Sequence, residues 1–391
     1  MQDYFGKLQA RLDKYKYKYA KKPKRAALNL IWWNLQYMFT KSKNRQNKND
    51  GAKIALYING GLGDYLMDIN YALYLYEYLD NKVEIDIFAK NYKAAEQLAG
   101  NAVPFKFYSR DEFNKVNGYA VKIHLNRFPK IVYYNKNAID KYMPKFTNIL
   151  DAVLDLHSKV PMYFDLDPAA DALTIQYARI NGAKKRIQQP DILQLLNVAE
   201  DFKLHLIPEN KEEILAKFGL TDTKFISLNR GTDAGFKGSE VTRMWPVEYY
   251  EQLVLKLREK YPEYKIVQLG YSKECCKEIA GIDFDLRGET TLSDLKTILY
   301  ASALHIDYDG GMIHMKKALH TGKSVVLFGP TEPDWLGYAA NINICAYKCR
   351  FCDFLNADWN KRCSNIRNPQ ICMKSITPDM VLQEIIQHGE L

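Results

Sequence analysis

Three glycine-bearing turns, each placed after a hydrophobic strand, hold the residues with chemistry to offer. Gly60-Gly61-Leu62-Gly63-Asp64 follows the apolar run Lys53–Asn59. Asn229-Arg230-Gly231 closes the run that begins at Phe225, with Thr242-Arg243-Met244-Trp245-Pro246 a short way on. Asp309-Gly310-Gly311-Met312-Ile313-His314 follows a third run, and Phe328-Gly329-Pro330-Thr331-Glu332-Pro333 comes after that. A strand that ends in a glycine turn and opens a helix aims unsatisfied backbone N–H groups at one point, a ready place for phosphate. Asp309 stands at a strand's carboxyl end, where open α/β sheets put their ligand contacts. A glycine pair alone equally describes an ordinary strand–loop–helix turn. Asp64 has two readings as well: a general base, or the carboxylate that caps the following helix. Asp68, one helical turn on, is a second carboxylate on the same element.

The elements that must position these groups alternate in type. Strands are expected at 53–59, 83–89, 104–108 and 119–125, with helices from about Asp64 and over 92–98. After a stretch at 126–200 punctuated by Pro161, Pro168 and Pro190, strands are expected at 225–229, 264–269, 304–308 and 324–328. Helices over 246–261, 292–301 and 312–320 separate them, the first opening with a proline. This alternation argues for parallel sheets in two α/β domains with a cleft between. Lys316 and Lys317, on the last of these helices, read as solvated.

The chain has 391 residues, more than one core serves well. Its net charge of +9 is uneven: residues 1–50 hold 13 Lys/Arg against three Asp, and the remainder is close to neutral. That basic arm places Phe5, Leu8, Leu12, Tyr15 and Tyr19 at helical spacing among lysines, followed by aromatic residues near Trp32 and Trp33. Such a composition suits an anionic lipid interface or a packing face on the body or another subunit. The apolar run 26–39 is shorter than the ~20 residues of a bilayer span. The expectation is a cytoplasmic protein, peripheral on the inner face of the membrane if the arm binds lipid. Residues 41–52 read as a polar linker. The expected organisation is an arm at 1–50, a first domain at 51–205, a second at 206–340, and a cysteine-rich knuckle with a terminal helix at 341–391.

Taken together and in this order, the three blocks resemble glycosyltransferase family 9, the ADP-heptose:lipopolysaccharide heptosyltransferases, over roughly residues 53–385. The resemblance implies a GT-B fold, two Rossmann-like domains facing a cleft, with the acceptor on the first and the nucleotide sugar on the second. It implies inverting transfer without a catalytic metal, most naturally of heptose from an ADP donor to a bacterial lipopolysaccharide or other surface glycan. Asp64 aligns with the family's catalytic aspartate, in the loop of Gly60, Gly61 and Gly63. Arg243 stands where the family usually has lysine, to meet the charge on the leaving diphosphate. Asn229, Arg230 and Gly231 would line the same pocket, and Gly310, Gly311 and Met312 would offer N–H groups to the phosphates. Asp309 would contact sugar hydroxyls, His314 follows the family's histidine, and Glu274 would approach the ribose. Gly310 departs from the family's usual Ser or Thr and loses a hydroxyl.

Five of the seven cysteines fall after residue 344. Cys349, Cys352, Cys363 and Cys372 have the spacing of a closed thiolate site for a structural metal, zinc by ligand chemistry. The same spacing resembles the finger of the autotransporter heptosyltransferases, where the metal is iron and the acceptor a protein. Reduced packed thiols or a disulfide are the alternative. Cys345 reads as a spare thiol, and Cys275 and Cys276 as structural. A basic, metal-fingered nucleic-acid-binding protein would explain the arm and the cysteines but leave the glycine turns without a purpose; salt-dependent binding to DNA or RNA would favour it.

Overall fold

The computed structural model describes residues 51–125, 129–159, 202–231, 242–353, 359–389 and 391. The basic arm and the readings within 160–201 lie outside the described residues.

The first domain runs β1 (Gly51–Ile58), α1 (Leu62–Tyr78), β2 (Glu84–Ala89), α2 (Tyr92–Ala99), β3 (Lys106–Ser109), β4 (Tyr119–Leu125), β5 (Pro129–Tyr134), α3 (Lys136–Tyr142) and α4 (Phe146–Lys159). The sheet order is β3-β2-β1-β4-β5. Strand β1 is central, and its consecutive residues Ile54, Ala55 and Leu56 are all fully buried, as a parallel strand covered on both faces requires. It starts earlier than expected. Gly51, read as linker, already pairs with Tyr119 and donates from its N–H to the Gly118 carbonyl at 3.2 Å. Strand β5, not anticipated, is the antiparallel edge, with a proline at its first position where a lost N–H costs least.

The second domain comprises α5 (Lys211–Lys217), β6 (Phe225–Asn229), α6 (Val247–Lys260), β7 (Lys265–Leu269), β8 (Phe284–Asp285), α7 (Leu292–Ala301), β9 (Leu304–Tyr308), α8 (Gly311–Ala318), β10 (Lys323–Phe328), α9 (Pro333–Leu336), β11 (Ile342–Cys345), α10 (Ile371–Ser375) and α11 (Pro378–His388). Its parallel sheet has the order β11-β10-β9-β6-β7-β8, the doubly wound arrangement of a dinucleotide-binding domain. Strand β11 is its sixth strand, so part of the segment assigned on sequence to the knuckle belongs to this sheet. In both sheets the strand order reverses beside the first strand, between β1 and β4 and between β6 and β9. Ligands bind at such points, outside the carboxyl ends of the strands. All three glycine turns are there.

One continuous apolar core crosses from domain to domain, joining Leu66 and Ile69 of α1 to Ile313 and Met315 of α8 through Phe202 and Leu204. The segment between the domains is tied to both. Buried Asn70 accepts the Lys203 and Leu204 N–H groups at 2.8 and 3.0 Å, and Leu206 N–H donates to the Ala318 carbonyl at 2.8 Å.

Lys316 corrects the sequence reading. Only 1% exposed, it donates to the Leu299 and Ser302 carbonyls at 2.7 and 2.6 Å, satisfying carbonyls at the end of α7. Burial pushes its pKa down to about 7. The Cβ direction on a helix sends this side chain back over the preceding turn, into the core. Among the described residues, no helix is long and apolar enough to cross a membrane.

Candidate active site

The two domains meet at their glycine turns. A Cβ at Gly63 would lie 2.5 Å from His314 Cδ2 and 3.3 Å from Gly311 Cα. A Cβ at Gly311 would in turn lie 3.0 Å from Leu62 Cβ and 3.2 Å from Gly63 N. The amino ends of α1 and α8 therefore approach so closely that neither glycine could carry a side chain. The first turn of each contributes backbone N–H groups near this junction.

Asp64 stands at the third position of α1. Its Oδ2 accepts the Gly61 N–H at 2.9 Å, so the capping reading holds in this structure. Gly60 has φ of +124°, and a Cβ there would overlap the Asp64 carboxylate. Glycine is thus required both by the backbone and by the carboxylate that closes over it. The Asp64 side chain is half-buried, whereas Asp68 is buried.

Across the junction, α8 opens at Gly310. His314 is buried with its ring edge on Gly63 and its Nδ1 2.6 Å from the Tyr338 hydroxyl. Tyr338 packs in turn on Phe202 of the connecting segment. Met312 is half-buried in the first turn of α8.

Arg243 is the cation of this site. Its Nη1 donates to the Asp309 carbonyl at 2.8 Å and to Asp309 Oδ2 at 3.1 Å. Burial works against its charge, but Asp309, followed by Tyr308, holds its pKa above the ordinary value. Burial pushes the Asp309 carboxyl up, while Arg243 and the Thr331 hydroxyl pull it back. The arginine is the secure charge of the pair, and the carboxylate depends on it. Arg243 Nε is buried and has no hydrogen-bond partner among the described residues.

The Asn229-Arg230-Gly231 turn is held by contacts to neighbouring elements. Asn229 turns inward and donates to Asp307 Oδ2 at 2.9 Å, and its carbonyl accepts the Tyr250 hydroxyl at 2.9 Å. Buried Arg230 donates from Nε to the Trp245 carbonyl at 3.0 Å. Gly231 is pressed on Cys276 so closely that a Cβ would overlap its Sγ, and its carbonyl accepts the Tyr308 hydroxyl at 2.6 Å. Cys276 is structural in this sense. Glu274 is exposed on the turn after β7.

The cysteine knuckle begins beside this site. Its 351–353 segment lies on the Gly329-Pro330 turn, with Phe351 N–H donating to Gly329 O at 3.2 Å and Asp353 N–H to Pro330 O at 2.9 Å. Asp353 is buried, and its charge adds to the rise in the Asp309 pKa. Trp359 lies over Arg243. Sequence reasoning missed Trp359, Asp353, Tyr308 and Tyr338. Only Tyr308, next to Asp309, carried a local signal.

Cys349, Cys352, Cys363 and Cys372 are brought into one neighbourhood. Burial first, then the charges of the other cysteines, push Cys352 up to about 11 and Cys372 up to about 12. Among the described residues, no three His, Cys, Asp or Glu side chains close into a metal-ligating group, and all seven cysteines are free.

Comparison with known proteins follows the same geography. A family model described as glycosyltransferase family 9 (heptosyltransferase) matches residues 194–365. A search of curated proteins found no significant match. Among solved structures, the chain is similar to a family 9 glycosyl transferase from Veillonella parvula, at 14% identity and a TM-score of 0.53, covering 87% of this chain and 98% of the other. It is similar to E. coli ADP-heptose lps heptosyltransferase II at 16% identity and a TM-score of 0.50, covering 86% and 99%. It is also similar to TibC, an iron-containing dodecameric glycosyltransferase from enterotoxigenic E. coli, at 12% identity and a TM-score of 0.55, covering 88% and 77%. TibC has also been solved in complex with ADP-D-beta-D-heptose. At these identities the likeness to solved structures speaks for the fold, two Rossmann-like domains in the GT-B arrangement.

Proposed function

We propose that the chain, which the glycosyltransferase family 9 model matches over residues 194–365, is a glycosyltransferase that inverts the anomeric centre of an ADP-linked sugar, heptose first, as it transfers that sugar to a bacterial surface glycan. The observation that carries this reading is the placement of Arg243 beside the N-terminus of α8, with that turn pressed on the glycine that precedes Asp64. Donor and acceptor machinery are thereby adjacent.

On this reading Asp64 takes the proton of the acceptor hydroxyl as its oxygen attacks the anomeric carbon. The bond from that carbon to the phosphate oxygen breaks, and the nucleoside diphosphate leaves with the electron pair. Arg243 and the N–H groups of Gly310, Gly311 and Met312 meet the charge that develops there. Asp309 holds Arg243 and offers its carboxylate to sugar hydroxyls. The chemistry assigned here uses no metal. The ADP-D-beta-D-heptose complex of TibC and the heptosyltransferase name of the E. coli relative support ADP-heptose as the donor to try first.

A protein acceptor is the second reading. The four gathered cysteines favour it, because the chain is also similar to iron-containing TibC. Cys349, Cys352, Cys363 and Cys372 would hold a structural zinc or iron, stapling a loop-rich knuckle too small to fold on its own apolar contacts. Metal analysis of the purified protein tests this: about one metal per chain, lost on Cys363→Ser, supports it, and none refutes it. The basic arm would dock the enzyme on anionic lipid; co-sedimentation with phosphatidylserine vesicles, with and without residues 1–50, tests that.

The deciding experiment is calorimetric titration with ADP, UDP, GDP and CDP in parallel. Selective ADP binding supports the proposal. Selectivity for another nucleotide keeps the reaction class and discards heptose, and no binding to any refutes the donor site described above.

A further inference from the structure

We propose that Trp359, on the cysteine knuckle, is a positioning residue that holds the Arg243 guanidinium in line for the donor diphosphate, which makes the knuckle part of the donor pocket. This rests on the donor-site reading above.

Arg243 packs on two aromatic rings. Its guanidinium carbon is 5.1 Å from the Tyr308 ring centroid and 5.4 Å from that of Trp359. Both distances are within cation–π range, and indole is the strongest partner. One edge of the guanidinium is occupied by Asp309 through Nη1. The rings hold its plane, so its remaining N–H groups keep a set direction. Unheld, a long side chain would have to be ordered as ligand binds, at a cost in affinity.

The knuckle is anchored where this requires it. Thr242, next to Arg243, donates from its N–H to the Asn360 carbonyl at 2.9 Å and from Oγ1 to the Trp359 carbonyl at 2.8 Å. The main chain on both sides of Arg243's contact is therefore cross-linked, not merely adjacent. These two contacts also account for the substitution of arginine where the family resemblance leads one to expect lysine. A flat guanidinium can pack on ring faces and still present N–H groups at its edge, whereas an ammonium is a compact, strongly hydrated point charge.

The test is ADP titration of Trp359→Leu and Trp359→Phe, each alone and with Arg243→Met, with urea unfolding of the ligand-free proteins in parallel. Trp359→Leu should weaken ADP by about fivefold, Trp359→Phe should keep most of the affinity, and neither should matter once Arg243 is gone. An equal loss in the Arg243→Met background, or no rescue by phenylalanine at unchanged unfolding midpoint, overturns the proposal. If Arg243→Met leaves ADP affinity unchanged, the phosphate role of Arg243 has failed instead. The unfolding cycle then decides the clamp: coupled residues retain it, and additive effects overturn it.

Discussion

Replacing Arg243 by methionine should destabilise the protein in a way that depends on pH, because Asp309 relies on it. The Asp309 side chain is 3% exposed and the arginine 21%, so water screens the pair weakly. Removing one partner of a buried ion pair costs ~3–5 kcal/mol, a large share of the ~5–15 kcal/mol that folded proteins hold in reserve. The carboxyl, already raised by burial, then loses the charge that pulls it back. Its folded pKa climbs further above the unfolded one, so between those two values the native state binds more protons and stability falls as pH rises. The deficit should be greatest at pH 8 and shrink toward pH 5. Adding Asp309→Asn should restore most of it at pH 8, since a neutral amide needs no counter-charge. Urea midpoints of the four proteins at the two pH values measure this. An equal deficit at both pH values, or simple additivity of the two substitutions, would refute the ion-pair account and leave Arg243 as a packing residue.

Gly63→Ala should separate binding from turnover: its methyl group drives His314 and Gly311 away from α1, and a misplacement of about 1 Å costs on the order of 100-fold in rate, while ADP titration should stay near wild type. Wild-type turnover would show that the junction is not fixed during catalysis. Asp64→Ala should lower transfer by ~100-fold or more with nucleotide binding kept, and should cost about 1 kcal/mol of stability through the lost bond to Gly61. Unchanged turnover would reduce Asp64 to a cap. Lys316, with its folded pKa near 7 against 10.5 for the free side chain, should make the protein gain stability as pH rises from about 7 to 10.5, because the unfolded chain binds the extra proton there. Lys316→Met should flatten that rise, and an identical pH profile would show that the charge is accommodated.

Local pattern was enough for much of the fold. Strands 119–125, 225–229 and 304–308 and the helix 292–301 are legible to the residue, because continuous apolar runs between turn residues have few alternatives in a parallel sheet. The glycine turns and the two carboxylates beside them were equally legible, since unusual backbone demands leave a mark in residue type. Their partners across space left none. Asp64 could be read as a cap or a base, and only the structure places its carboxylate on Gly61 and its loop against Gly311. Lys316 looks like any surface lysine until the helix face it occupies is seen to be buried. Arg243 announced a charge, but its contacts with Tyr308 and Trp359 join residues far apart in the chain. Sequence determined which residues stand at the ends of the strands. The packing of one domain on the other, which no local periodicity encodes, decided what each of them faces.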